Sequence, residues 1–190
     1  MKRLLLHACC APCSPYVIGK LKEKYLVTVF FYNPNIHGRR EYGLRLKEMR
    51  RLCTDCRVPL IEGRYDPSSF FSLVGPLAGS GEGSVRCSAC FRLRLEETMR
   101  TARMLGAEAA ASTLTVSPHK KASRVNPEGL GAAGRFGLTF LDEDFKKNNG
   151  YHMTCQLSRP YRFYRQDYCG CIFSKQERDR RKTTHKTIAG

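Results

Sequence analysis

The sequence predicts an α/β domain with a mainly parallel sheet and flanking helices, on three observations. Short apolar runs recur along the chain, and longer segments of helical periodicity lie between them. Apolar residues make up 42% of the 190 residues, enough for one sizeable core.

The first strand is read over Arg3–Ala8. His7 interrupts the apolar run after Leu4-Leu5-Leu6, so the N-terminus is too short to read as a secretion signal, which needs roughly 7–15 apolar residues. Ser14-Pro15 then signals a helix start, with Val17, Ile18, Leu21 and Tyr25 on one face. A second strand over Leu26–Phe31 leads to a helix carrying Tyr42, Leu46, Met49, Cys53 and Cys56 at helical spacing. A third strand is read at Val58–Ile61, and a short helix and a flexible glycine-rich loop across Asp66–Val85. From Cys87 the residues Phe91, Leu95, Met99 and Ala102 keep helical spacing until Gly106 stops the helix. Ser112–Val116 reads as the next strand, and Ser117-Pro118 repeats the helix-start signal. Regular periodicity fades from about Arg159, and residues from about 175 to 190 read as a basic, flexible tail. Nothing marks a domain boundary, so 1–190 is expected to form a single domain.

The charge points to a polyanionic partner. Lys and Arg number 33 against 17 Asp and Glu, a formal net charge of +16, and phosphate contacts from such residues dominate nucleic-acid affinity. No run is long enough to cross a membrane. With ten cysteines and no secretion signal, the expected compartment is the cytosol, where thiols serve metals or catalysis rather than a disulfide framework.

Three cysteine groups carry chemistry. His7-Ala-Cys-Cys-Ala-Pro-Cys-Ser14 lies where a strand turns into a helix, and the partial positive charge of a helix start favours thiolates. Cys9, Cys10 and Cys13 are therefore candidates for metal or redox work. Arg86-Cys-Ser-Ala-Cys-Phe-Arg92 opens another helix with a CxxC pair, Cys87 and Cys90. Together the two groups supply enough thiolates for a zinc or iron–sulfur site, and spacing alone does not decide the metal. Cys169 and Cys171, separated by one glycine, fit a readily reduced disulfide, two ligands of a second metal, or a buried structural pair. Cys53 and Cys56 follow an apolar helical face and read as core, with an accessory metal site as the alternative. Cys155 stands alone, without an assigned role.

Other stretches offer substrate contacts. Asn33, Asn35 and His37 follow the second strand at the edge that bears the first cysteine group, and Asp144-Phe-Lys-Lys-Asn-Asn-Gly150 mixes a carboxylate with donors. Between 159 and 186, Tyr161, Phe163, Tyr164, Tyr168 and Phe173 are interleaved with cations, a pattern suited to stacking on looped RNA.

Six collinear blocks carry a family resemblance. They are His7-x-Cys9-Cys10-x-Pro12-Cys13, Tyr32-Asn-Pro-Asn-Ile36, Arg86-Cys-x-x-Cys90, Thr113-Leu-x-x-Ser-Pro-x-Lys120, Asp144-Phe-Lys-Lys147 and Arg165-Gln-x-Tyr-Cys-Gly-Cys171. From residue 3 to about 174 the chain resembles the cobalamin-independent epoxyqueuosine reductases. The resemblance implies a fold similar to PP-loop-type nucleotide-binding domains, without their glycine-rich phosphate loop. It implies two-electron deoxygenation of epoxyqueuosine at the wobble position of tRNA, fed by an unidentified electron donor. It implies a [4Fe–4S] cluster on Cys9, Cys10, Cys87 and Cys90, and a redox-active pair at Cys169 and Cys171. Cys13 would replace Cys9 or bind an additional iron or other metal ion. Candidates for substrate contact are Asn33, Asn35, His37, Lys120, Asp144, Lys146 and Arg165, and candidate proton donors are His7, His37 and Asp144. Two rival readings are a zinc-stabilised RNA-binding protein and a PP-loop-like tRNA sulfur-transfer enzyme.

Overall fold

Leu4-Leu5-Leu6 can be apolar without interruption only if both faces of its strand are covered. In the computed structural model, which describes the backbone of residues 1–188 and the side chains of 1–184, both are. Strand β1 (Lys2–His7) is followed by α1 (Pro15–Lys22), β2 (Tyr25–Phe31), α2 (Arg39–Asp55), β3 (Leu60–Glu62) and α3 (Pro67–Val74). The chain continues through α4 (Val85–Met104), β4 (Ala109–Ser112), α5 (Ala122–Phe136), β5 (Thr139–Phe140), α6 (Gly150–Ser158) and α7 (Ile172–Ile188). Leu4 and Leu6 pack with Val17, Ile18, Met49 and Leu52 of α1 and α2, while Leu5 faces Ala102 of α4. Full burial of each such leucine stabilises the fold by about 1.5–3 kcal/mol.

The five strands are all parallel, in the order β3-β2-β1-β4-β5. The chain winds outward from β1 through β2 to β3, then returns to the other side of β1 as β4. That reversal makes a switch point at the carboxyl ends of β1 and β4, where α/β sheets bind ligands. His7 ends β1 opposite Ser112 of β4, so the first cysteine group leaves the sheet at this crevice.

Three sequence expectations need correction. The fourth strand is Ala109–Ser112, and Thr113–Val116 forms a 3-10 turn instead. Burial between helical layers overrides the weak strand preference of alanine, and Ser112 Oγ accepts from the Leu114 amide to start the turn. Ser117-Pro118 starts no helix, because Ser117 Oγ accepts from the His119 amide in a turn and α5 begins only at Ala122. Residues expected as a flexible tail from about 175 are helical to 188; 189 and 190 lie outside the described residues. The sequence of this helix carries no strong apolar stripe, and the helix is held by Phe173 packing on Phe70 together with ion pairs. Glu177 pairs with the buried Arg86 at 2.6 Å, and Arg178 and Lys182 pair with Asp167.

Candidate metal and thiol site

After β1 the chain turns at once. Cys10 is extended and Ala11–Cys13 form a 3-10 turn with Pro12 in its first positions. Ser14 Oγ donates to the Cys10 carbonyl oxygen, and Thr113 Oγ1 accepts from the Cys9 amide. Neighbouring side chains that would diverge in a strand therefore converge. The sulfurs of Cys9 and Cys10 are 3.8 Å apart, and those of Cys9, Cys10 and Cys13 all lie within 4.8 Å of one another.

These thiols line a cavity of about 370 Å³ together with Asn33, Asn35, Arg94, Lys120 and Cys169. A second cavity of about 470 Å³ is lined by Cys87, Cys90, Cys169 and Cys171. Asn35, Glu82, His119, Lys120, Cys169 and Arg181 border both, so the two cavities adjoin. Three segments distant in sequence thus bring seven of the ten cysteines to one region.

The electrostatics divide the thiols. Hydrogen bonds from Cys10 and Cys13 hold the Cys9 thiol well below its ordinary pKa, against the effect of burial. The Cys13 bond also lowers Cys10, but this is outweighed by the bond to Cys9 and by burial, which leave it at about 11. Donating to Cys10 and Cys9, together with burial, raises Cys13. Burial pushes Cys90 up to about 12 and raises Cys87 and Cys171. Burial lowers the Lys120 pKa, yet the facing charges of Cys169, Cys9, Cys13 and Cys10 raise it overall. Crowded, buried thiols become simultaneous anions only when a cation compensates them, which is what a metal ion does. The donor set therefore fits a metal bound by thiolates.

The Cys169–Cys171 loop is fastened on all sides. Arg45 Nη1 donates to the Cys169 carbonyl oxygen at 2.9 Å, and the Cys169 amide donates to Ser174 Oγ at 3.0 Å. The His37 amide donates to the Gly170 carbonyl oxygen at 3.0 Å, and His37 Nδ1 accepts from the Ile172 amide at 2.9 Å. Gly170 has φ +124°, and a Cβ there would stand 3.1 Å from both Arg45 Nη1 and Ile36 Cγ1, so any side chain would be strained and crowded.

The sequence candidates scatter accordingly. Asn33 donates to the Ala8 carbonyl oxygen and accepts from Arg94, which makes it part of the cavity's framework. Asn35 and Lys120 border both cavities, with Asn35 Oδ1 buried and unpartnered among the described residues. His37 clamps the thiol loop through Nδ1. His7 is enclosed between Ser112 Oγ and the Tyr32 carbonyl oxygen; burial, then the Arg94 charge, lower its pKa to about 3. Asp144 and Lys146 pair with each other in a groove that meets the second cavity at Lys121, and Lys146 also donates to the Lys120 carbonyl oxygen. Arg165 donates to Ser158 Oγ and borders neither cysteine cavity.

Several aromatic rings expected for RNA stacking are engaged internally. Tyr161 and Phe163 stack on each other, and Tyr168 lies between Arg45 and Arg178. Cys53 is buried in the α1–α2 core cluster, with Cys56 against it. Two buried cations, Arg45 and Arg94, escaped the sequence reading. Arg94 could have been found, since it falls on the buried stripe of α4 with Cys90, Phe91, Leu95 and Thr98.

The fold and site define a doubly wound α/β protein whose switch point carries a cysteine centre fit to bind a metal ion. Residues 4–177 match the family model described as epoxyqueuosine reductase QueH. The chain belongs to this family of oxidoreductases. The epoxyqueuosine reductase QueH of Staphylococcus epidermidis is 36% identical over 180 residues, covering 90% of this chain and 76% of the relative. That of Streptococcus pyogenes is 37% identical over 177 residues, covering 90% and 69%. That of Dehalococcoides mccartyi is 36% identical over 178 residues, covering 93% and 94%. Among solved structures, a deacetylase of teicoplanin biosynthesis aligns over 73% of this chain and 65% of its own, at TM-score 0.43 and 12% identity. That likeness is too distant to argue from.

Proposed function

We propose that this chain reduces epoxyqueuosine to queuosine at the wobble position of tRNA. The observation that carries the reading is the convergence of seven cysteines around two adjoining cavities in a member of this reductase family. The reaction takes two electrons and two protons; both C–O bonds of the epoxide break, an alkene forms and the oxygen leaves as water.

Cys9, Cys10, Cys87 and Cys90 would hold a [4Fe–4S] cluster, and Cys13 an additional iron or other metal ion. Such centres supply one-electron transfer and Lewis acidity when bound. Cys169 and Cys171 supply the two-electron store. Oxidation of their two thiols to one disulfide releases two electrons and two protons, the number the epoxide consumes. An external donor then restores the dithiol. Lys120, held as an ammonium by the surrounding thiols, stands on both cavities and donates a hydrogen bond to the departing oxygen. Asn35 orients the ring from the wall shared by the two cavities.

The formal charge of +16 supports a polyanionic substrate, and Lys121, Arg124 and Arg181 are exposed among the residues bordering the cavities. These cations take the phosphates flanking the modified nucleotide. No helix among the described residues is long and apolar enough to cross a membrane, and we place the reaction in the cytosol with its tRNA.

The test is anaerobic incubation of iron- and sulfide-reconstituted protein with epoxyqueuosine-containing tRNA and a reductant, followed by mass spectrometry of the nucleosides. A loss of one oxygen from the modified base supports the reading. Unchanged epoxyqueuosine with a fully loaded protein refutes it.

A further inference from the structure

Among the described residues three arginines are buried: Arg45, Arg86 and Arg94. Arg45 is paired with Glu41 at 2.7 Å and Arg86 with Glu177 at 2.6 Å. Arg94 is the most enclosed, at 1% exposure, and pairs with no carboxylate among the described residues. Its Nη2 donates to Asn33 Oδ1 at 2.6 Å, and its Nε has no partner among the described residues. Arginine does not shed its proton in a protein interior. An unpaired buried guanidinium is costly, and folds keep one only where a counter-charge is supplied.

The surroundings show where that counter-charge lies. Arg94 lies on the face of α4 that carries the half-buried Cys87 and the buried Cys90, one helical turn beyond Cys90. It borders the cavity of Cys9, Cys10 and Cys13. Through Asn33, whose Nδ2 donates to the Ala8 carbonyl oxygen at 3.0 Å, it is also tied to the turn that presents Cys9 and Cys10. Arg94 therefore stands between the two cysteine groups and is linked to both. Three or four thiolates around a doubly charged metal core leave the assembly net negative.

We infer that Arg94 is the internal counter-ion of this cysteine centre, a positioning residue that raises the centre's reduction potential and slows its loss of metal. The inference rests on the proposal that these thiols hold a metal. Reduction adds one electron, from dithionite in the measurement, to an already anionic centre, and no bond forms or breaks. A fixed cation nearby favours the reduced form, and removing that cation disfavours it.

The test uses full-length protein reconstituted anaerobically with iron and sulfide, comparing wild type with Arg94→Gln, Arg94→Lys, Asn33→Asp and Asn33→Leu. Gln keeps a donor toward Asn33 without the charge. Lys keeps the charge. Asn33→Asp retains Arg94 but sets a carboxylate against it; it also loses the donor to the Ala8 carbonyl oxygen, so its difference from Asn33→Leu, which loses that donor without adding charge, decides the matter if Arg94→Gln does not fold. The expected result is at least a tenfold fall in the reduction equilibrium for Arg94→Gln against wild type and for Asn33→Asp against Asn33→Leu, or about 59 mV for a one-electron couple. Iron release to a chelator should be about tenfold faster in these two variants, with Arg94→Lys restored to within about threefold of wild type. Potentials and release rates unmoved in folded Arg94→Gln, and alike in Asn33→Asp and Asn33→Leu, would overturn the role of Arg94 alone. Wild-type protein that takes up no iron would overturn both this inference and the metal reading beneath it.

Discussion

Arg45 and Cys169 are 124 residues apart in sequence, yet the arginine Nη1 donates a 2.9 Å hydrogen bond to the cysteine's carbonyl oxygen. The same guanidinium pairs with Glu41 at 2.7 Å and lies over the Tyr168 ring, and its side chain is only 2% exposed. Glu41 in turn accepts from Tyr164 Oη at 2.8 Å. Helix α2 thereby fixes the backbone of the thiol loop without touching its sulfurs.

Arg45→Met should remove this anchor and leave Glu41 with Tyr164 as its only partner among the described residues. Breaking a buried pair in this way costs about 3 kcal/mol, to be read as a lower urea midpoint with an unchanged denaturant slope. Multiple-turnover activity should fall further than iron content does. Equal stability of variant and wild type would show that the pair contributes nothing.

Cys169→Ser should spare metal uptake and abolish repeated turnover, because a single thiol cannot store two electrons as a disulfide. Iron analysis and a turnover count on the same preparation check this. A variant with unchanged steady-state activity would exclude the thiol store.

His37 supplies a pH signature. Burial lowers its pKa from 6.5 to about 4, and its Nδ1 accepts the Ile172 amide only while the ring is neutral. The unfolded chain binds this proton more readily than the folded one. The contribution is therefore complete above pH 6.5 and is lost as the pH falls from 6.5 toward about 4. Urea midpoints across this window should fall more steeply for wild type than for His37→Gln, by up to about one proton. Parallel curves would mean that the ring titrates normally.

Cys53 is 3% exposed, and burial raises its thiol to about 12. The double variant Cys53→Ala, Cys56→Ala should keep full iron content and lose about 1–2 kcal/mol of stability through the small cavities created. Loss of iron from a folded double variant would bring this second CxxC into the chemistry.

Local patterns made much of the architecture readable. The run Leu4-Leu5-Leu6 and the stripe Phe91, Leu95, Met99 and Ala102 announce a doubly covered strand and a packed helix. Ala109-Ala-Ala-Ser112 was missed because tertiary burial, not strand preference, makes it a strand. Helix α7 leaves little trace in the sequence because what fastens it, the Phe70 ring and ion pairs with Arg86 and Asp167, lies outside it. The cysteine groups stand out by type and spacing, but their partners do not. Asn33 reads as a substrate contact until Arg94 and the Ala8 carbonyl are seen against it. His37 reads as a proton donor or substrate contact, and only the fold shows its Nδ1 tied to the Ile172 amide with Nε2 left buried and unpartnered among the described residues. Asp144 and Lys146 read as substrate contacts, and in the fold they pair with each other in a groove that meets the second cavity at Lys121.

The placement of β1 beside β4 also sets an order of assembly. His7 meets Ser112 across 105 residues, and the Cys169 loop meets Arg45 across 124. Contacts of such long range form slowly. Cys9, Cys10 and Cys13 are synthesised first and wait for donors that arrive much later. Until the sheet closes, those thiols are within reach of oxidants and stray metal ions. On the proposed metal reading, the interval between synthesis and loading is the period of greatest exposure, and anaerobic expression should raise the fraction of chains that take up metal.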